Sequence, residues 1–180
     1  MNHRYNKNQN ITTETDQMID FTHVYPDSNT EEIEPTGGYV YVHDTHIGEE
    51  RVKNIKTAIF LAKRGYQVHL LEVANIQGHK NPDAYIVNED IVIEFKQNER
   101  ATQSAIENEI RDAKKQADYI LIQASEFISA KDLLAGIKSK YRRKEPEYIK
   151  MKDLWLIWKE ELFIFTRQEI INGEINHKIR

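Results

Sequence analysis

Residues 81–96 read NPDAYIVNEDIVIEFK. Two short apolar runs, DAYIV and IVIEFK, flank the turn triplet NED, which is the pattern of a β-hairpin. Alternation along the second strand puts Val92, Glu94 and Lys96 on one face and Ile91, Ile93 and Phe95 on the other. The turn folds Asp83 back beside Glu94 and Lys96. Pro82 has no N–H to donate, so it stops sheet pairing there and lets the acid point inward. Three charged groups are therefore expected to converge at one end of a sheet.

That convergence has a chemical use. Two carboxylates are hard oxygen ligands for a divalent cation such as Mg²⁺ or Mn²⁺, which keeps some waters and also takes phosphate oxygens. Such a cation stabilises charge on a phosphodiester and activates water. A lysine beside it can orient or deprotonate the water, or neutralise developing charge. The plainer reading is a solvated strand face with a cross-strand ion pair. Two features weigh against it: the charges continue an apolar row through Val92, and the elements around the hairpin are those that such a metal site requires.

Outward from the hairpin, YVYVH (Tyr39–His43) alternates as a strand. Val52, Ile55, Ala58, Ile59 and Ala62 recur at helical spacing over 48–64, with Gly65 as the stop. YQVHLLEV is the next strand and ANIQGHKNP a loop. After the hairpin, 101–117 reads as a helix, YILIQ (Tyr119–Gln123) as a buried strand and 129–141 as a helix. LWLIW-KEE-LFIFT (Leu154–Thr166) is a second hairpin. The order β-α-β-β-β-α-β-α-β-β predicts an α/β (α+β) fold, a mixed central β-sheet flanked by helices. It occupies a single domain over 37–172. Residues 1–36 read as a flexible acidic arm with one short ordered piece near MIDFTHVY, and 173–180 as a polar tail.

The 180 residues suffice for one cored domain. There is no apolar run long enough to span a bilayer and no apolar stretch of signal type at the N-terminus. Cysteine is absent, which excludes disulfides and thiolate metal sites and agrees with a cytoplasmic setting. The net charge of −4 is uneven. Seven acids against Arg4 and Lys7 put the surplus in the first 36 residues, so nucleic-acid binding by the rest is not excluded. The run Lys138–Lys152 carries seven bases against Glu145 and Glu147, with Tyr141 and Tyr148 interleaved. Lys138, Lys140, Arg142, Arg143 and Lys144 are candidates to grip phosphates, with stacking from the tyrosines; a charged helix end is the alternative.

PDAYIVNEDIVIEFK resembles the PD-(D/E)xK nuclease motif, with Asp83, Glu94 and Lys96 at its three signature positions. The wider span 37–124, including NIKTAIFLAKRGYQVHLLE before the motif and IENEIRDAKKQADYILIQ after it, resembles the C-terminal, tRNase-like nuclease domains of contact-dependent growth-inhibition toxins. Related domains occur in phage and mobile-element proteins of bacteria. The resemblance implies a restriction-endonuclease-like core and a nuclease that acts on RNA such as tRNA, or on DNA. Mg²⁺ or Mn²⁺ would lie between Asp83 and Glu94, with Lys96 assisting water attack. It also implies a cognate immunity or inhibitor protein, and two-fold homodimers are common in that superfamily. A glutamate expected on the preceding helix falls at Asn54. Glu50, one turn earlier, is the candidate substitute and Glu49 its competitor. Gln116, in KKQAD, matches a recurrent site glutamine.

Three readings follow. The first is a metal-dependent nuclease. The second is a metal-independent toxin-type ribonuclease using a histidine (His43, His46 or His79) or a lysine as acid or base. The third is a non-catalytic module that binds nucleic acid or protein on the same fold. His69, within a strand, reads as structural.

Overall fold

The computed structural model describes residues 20–27, 36–74 and 80–180. His79 and most of the expected arm lie outside them. The described chain forms β1 (Phe21–Tyr25), β2 (Tyr39–His43), α1 (Gly48–Ala62), β3 (Gln67–Leu70), β4 (Ala84–Ile86) and β5 (Ile91–Gln97). It continues with α2 (Gln103–Ala113), β6 (Tyr119–Gln123), α3 (Ala130–Tyr141) and α4 (Pro146–Ile149). It ends in β7 (Leu154–Trp158), β8 (Glu161–Phe165), α5 (Arg167–Asn172) and α6 (Ile175–Lys178).

All eight strands join one mixed sheet in chain order. Three neighbouring pairs are parallel: β2–β3, β5–β6 and β6–β7. A parallel pair needs a crossover, and α1, α2 and α3 supply the three. The α+β class expected from the element order is the fold observed, and α1-β3-β4-β5-α2-β6 frames the motif hairpin.

Each face of the sheet carries its own core. Ala58, Leu61 and Ala62 of α1 pack on Val40, Val42, Val68, Leu70, Ile93 and Phe95. On the opposite face Ile106, Ile110, Leu133 and Ile137 of α2 and α3 pack on Ile120, Ile122, Leu154, Leu156 and Phe165. Each fully buried valine, leucine, isoleucine or phenylalanine among them contributes roughly 1.5–3 kcal/mol. Helix starts are set by side-chain caps: Thr102 accepts from the Ala105 N–H, Ser129 from Asp132, and Thr166 and Glu169 form a reciprocal capping box. One glycine fixes how closely α1 approaches β2. A Cβ at Gly38 would stand 1.9 Å from the Ala62 carbonyl oxygen, so no other residue fits there.

The short ordered piece expected near MIDFTHVY within the arm is Phe21–Tyr25, an edge strand paired antiparallel with β2. The expected polar tail is corrected, because Ile175 and Ile179 are buried around α6 and join the α2–α3 core. Two isoleucines four apart in a polar stretch bury one helical face, too short a pattern to register as periodicity. Among the described residues no helix is long and apolar enough to cross a membrane.

Candidate active site

The motif hairpin closes through a 3₁₀ turn at Val87–Glu89, with Asp90 left-handed at φ 54° and held by the Tyr85 hydroxyl at 2.9 Å. Ala84 pairs with Ile93, so Asp83 comes opposite Glu94. Pro82 ends the β4 ladder there, and the Asp83 carboxylate takes over the next rung. Its Oδ2 accepts the Phe95 backbone N–H at 2.8 Å. Its Oδ1 accepts from the Asn54 side-chain amide at 2.9 Å. Asn54 stands where the resemblance expected a helix acid, and it holds the first acid of the motif in place.

Asn54 is itself supported. Its Oδ1 accepts from Gln97 Nε2 at 3.2 Å, and the same Nε2 donates to Thr57 Oγ1 at 3.2 Å. The Thr57 hydroxyl donates to Gln123 Oε1 at 3.3 Å. This part-buried relay ties α1 to β5 and β6 and fixes the rotamer of Asp83 from behind.

Lys96 Nζ donates to Glu94 Oε1 at 2.6 Å. Glu94 is 4% exposed. Its Oε2 is buried and receives no donor from the described residues. The neighbouring Asp83 carboxyl can bond to it only when one of the two acids holds a proton. Burial, and then the negative charge of Asp83, push Glu94 up to about 8. Burial also lifts Asp83, against the opposing pull of the Phe95 N–H, Lys96 and Asn54. Burial works against the Lys96 cation, but Glu94, Asp83 and Glu109 outweigh it and raise its pKa. Lys96 is thus a resident cation that neutralises charge, and a poor proton acceptor near neutral pH.

These groups line a cavity of about 230 Å³. Glu50, Gln116 and His46 line it too, with Asn81, Pro82 and Leu71. Glu50 reaches it from the first turn of α1; Glu49 does not line it. Gln116 is committed to positioning, since its Oε1 accepts the Asn81 N–H at 2.7 Å and anchors the segment that leads into Asp83. His46 is 3% exposed, and its Nε2 lies 2.6 Å from the Leu71 carbonyl oxygen. A carbonyl only accepts, so Nε2 carries hydrogen. Among the described residues no group of three or more His, Asp or Glu side chains is placed to hold a metal ion.

The basic run lies elsewhere, since none of its five candidates lines the cavity. Lys138 bonds Asn176, and Lys140 pairs with Glu107 at 3.4 Å. Arg143 pairs with Glu145 and lies over the Tyr148 ring. Arg142 and Lys144 are exposed. His43 is also outside the cavity, its Nδ1 2.9 Å from the Thr45 hydroxyl. Sequence reasoning missed Asn54, Asn81, Thr57 and Gln97 as positioning groups. Gln97 alone left a signal, as a polar residue on the apolar-facing parity of β5.

Residues 80–162 match the model of the contact-dependent growth inhibition CdiA C-terminal domain, a span that contains Asp83, Glu94, Lys96 and Gln116. Among solved structures, a CdiA-CT/CdiI toxin and immunity complex from Burkholderia pseudomallei is similar at 23% identity and a TM-score of 0.47. The match covers 71% of this chain and 98% of that one. No curated protein matches.

Proposed function

We propose that the chain is a toxin-type nuclease that hydrolyses phosphodiester bonds of nucleic acid, RNA such as tRNA or DNA, with Mg²⁺ or Mn²⁺. The observation that carries this reading is the desolvated acid pair. Asp83 and Glu94 stand together in a cavity, with Glu94 Oε2 unserved and the Lys96 cation 2.6 Å from Oε1. Like acids held in this way are stabilised by a shared divalent cation. The donor set fits a small hard ion, which takes one or two carboxylates and completes its shell with water and substrate phosphate. The family match over the motif residues supports the same reading.

When bound, such a cation would polarise the phosphodiester and lower the pKa of a coordinated water. Asp83 and Glu94 would hold it, and Asn54 and the Phe95 N–H keep Asp83 aimed. Lys96 neutralises charge that develops on the phosphate oxygens. Glu50 is placed to add a carboxylate from α1, while Gln116 keeps the Asn81–Asp83 segment seated. Such an enzyme acts where nucleic acid is, in the cytoplasm, and cells that make it need a cognate inhibitor over the cavity.

Calorimetry with Mg²⁺ and Mn²⁺ tests this reading on the intact chain and on Asp83→Ala/Glu94→Ala, alongside cleavage of tRNA, single-stranded DNA and duplex DNA. The expected result is cation binding and cleavage in the intact chain, both lost in the double variant, with activity down by roughly a hundredfold or more. A second reading, a metal-independent ribonuclease, draws on His46 in the same cavity. It predicts cleavage that survives chelator and falls in His46→Gln.

A further inference from the structure

The face of the sheet that carries Glu94 and Lys96 is covered unevenly. α2, α3 and α5 stand over β5–β8, and the core on that side draws no residue from β1–β4. On β1–β4 the same face carries rings. His23 pairs with Tyr41, Tyr41 with His69, His69 with Tyr85, and Tyr85 with Val92. This is one continuous row across five strands. Two residues further along three of those strands come Leu71, Asp83 and Glu94, on the same face by alternation. All three line the cavity. The aromatic row and the acid row are therefore one pleat repeat apart, about 7 Å.

The rings pack edge-on and tilted, not as an oily slab. His23 and Tyr41 lie 4.9 Å apart at 48°, Tyr41 and His69 5.5 Å apart at 79°, and Phe21 and His43 5.0 Å apart at 89°. His23 is exposed and the other four are partly so. Burial lowers the pKa of His69, so its ring is uncharged at neutral pH. A surface of half-open rings offers faces and edges for stacking.

We propose that this ring surface on β1–β3 is a floor on which unpaired bases of a nucleic-acid substrate stack, while a neighbouring phosphodiester reaches Asp83, Glu94 and Lys96. The inference rests on the nuclease reading and narrows its substrate to single-stranded or looped segments. A sheet floor of aromatics beside a helix wall suits splayed bases and not a closed duplex. The wall is α2, and the acids lie at its foot.

Binding of a short fluorescent single strand, and of its duplex, is measured in chelator, where no cleavage is required. The full chain is compared with Tyr41→Leu, Tyr41→Phe and His23→Ala. Tyr41→Leu keeps apolar bulk, and His23 lies on an exposed edge where truncation leaves the core intact. The expected result is a loss of about five- to thirtyfold in single-strand affinity for Tyr41→Leu and a smaller loss for His23→Ala. Tyr41→Phe should bind like the parent, and the salt dependence should be unchanged because no phosphate contact is removed. Unchanged affinity in both ring-deleted variants, or an equal loss on duplex, overturns the floor. Absent cleavage with ring-dependent binding retained counts against the nuclease reading and leaves the floor standing.

Discussion

The tight antiparallel hairpins β4–β5 and β7–β8 differ in what they bury. In β7–β8 every residue of LWLIW is buried, on both faces of the strand. In β4–β5 the apolar parity, Ile93 and Phe95, is buried just as deeply, but the other parity brings Glu94 into the interior. β7–β8 puts the burial of that strand into stability. β4–β5 gives up part of that stability to hold two acids largely out of water, which favours their protonated forms. The turns differ in the same direction. Asp90 takes its left-handed conformation with a side chain that tolerates it and a hydrogen bond from Tyr85. Lys159 and Glu160 take φ values of 50° and 62° with no such help in their chemistry.

The comparison is broken most directly at the centre of β7. Leu156 is fully buried. Leu156→Ala should cost about 2–5 kcal/mol in urea unfolding with an unchanged slope. Glu94→Gln, equally central in its own hairpin, should cost little or raise stability at pH 8, since it removes a like-charge contact. A comparable loss in both variants would remove the distinction.

The next effect is in pH. Glu94 is raised to about 8 in the folded chain, from an ordinary value of 4.5. Between those values the folded state holds a proton that the unfolded state has released. Stability therefore falls as pH rises through that window, with a slope of at most ~1.4 kcal/mol per pH unit, and the upward shift of Asp83 adds in the same sense. Glu94→Gln should flatten the dependence and Leu156→Ala should leave it intact, as read from unfolding midpoints across pH 5–8.

The smallest effect lies in the second turn. Trp158 pairs with Glu161, so Lys159 and Glu160 form a two-residue turn with both φ positive, the geometry that Asn-Gly prefers. Glu160→Gly should raise stability by roughly 0.5–1 kcal/mol, and Asp90→Gly in the other turn should not. Thermal unfolding of the two variants checks the contrast.

The strands and their parity were legible because period-two alternation is a local code. It placed Glu94 and Lys96 on one face, and the hairpin turn brought Asp83 to them. Helical spacing put Glu50 a turn before Asn54. The second hairpin was legible as a pair of strands but not in its turn: KEE reads as a three-residue loop, whereas Glu161 pairs in β8. The tail was misread because one buried face of two isoleucines is too little periodicity to see.

The sequence by itself determined the order of the elements from β2 to β8, apart from the short α4, and the shared face of Glu94 and Lys96, since each depends on neighbours within a few positions. Tertiary structure alone decided the rest. Asn54 grips Asp83 across 29 positions and Gln116 reaches Asn81 across 35. Lys140 was turned inward to Glu107 and away from the cavity. Hydrogen bonds and ion pairs between distant segments depend on where packed helices bring them, and charge along the chain carries no record of its partner.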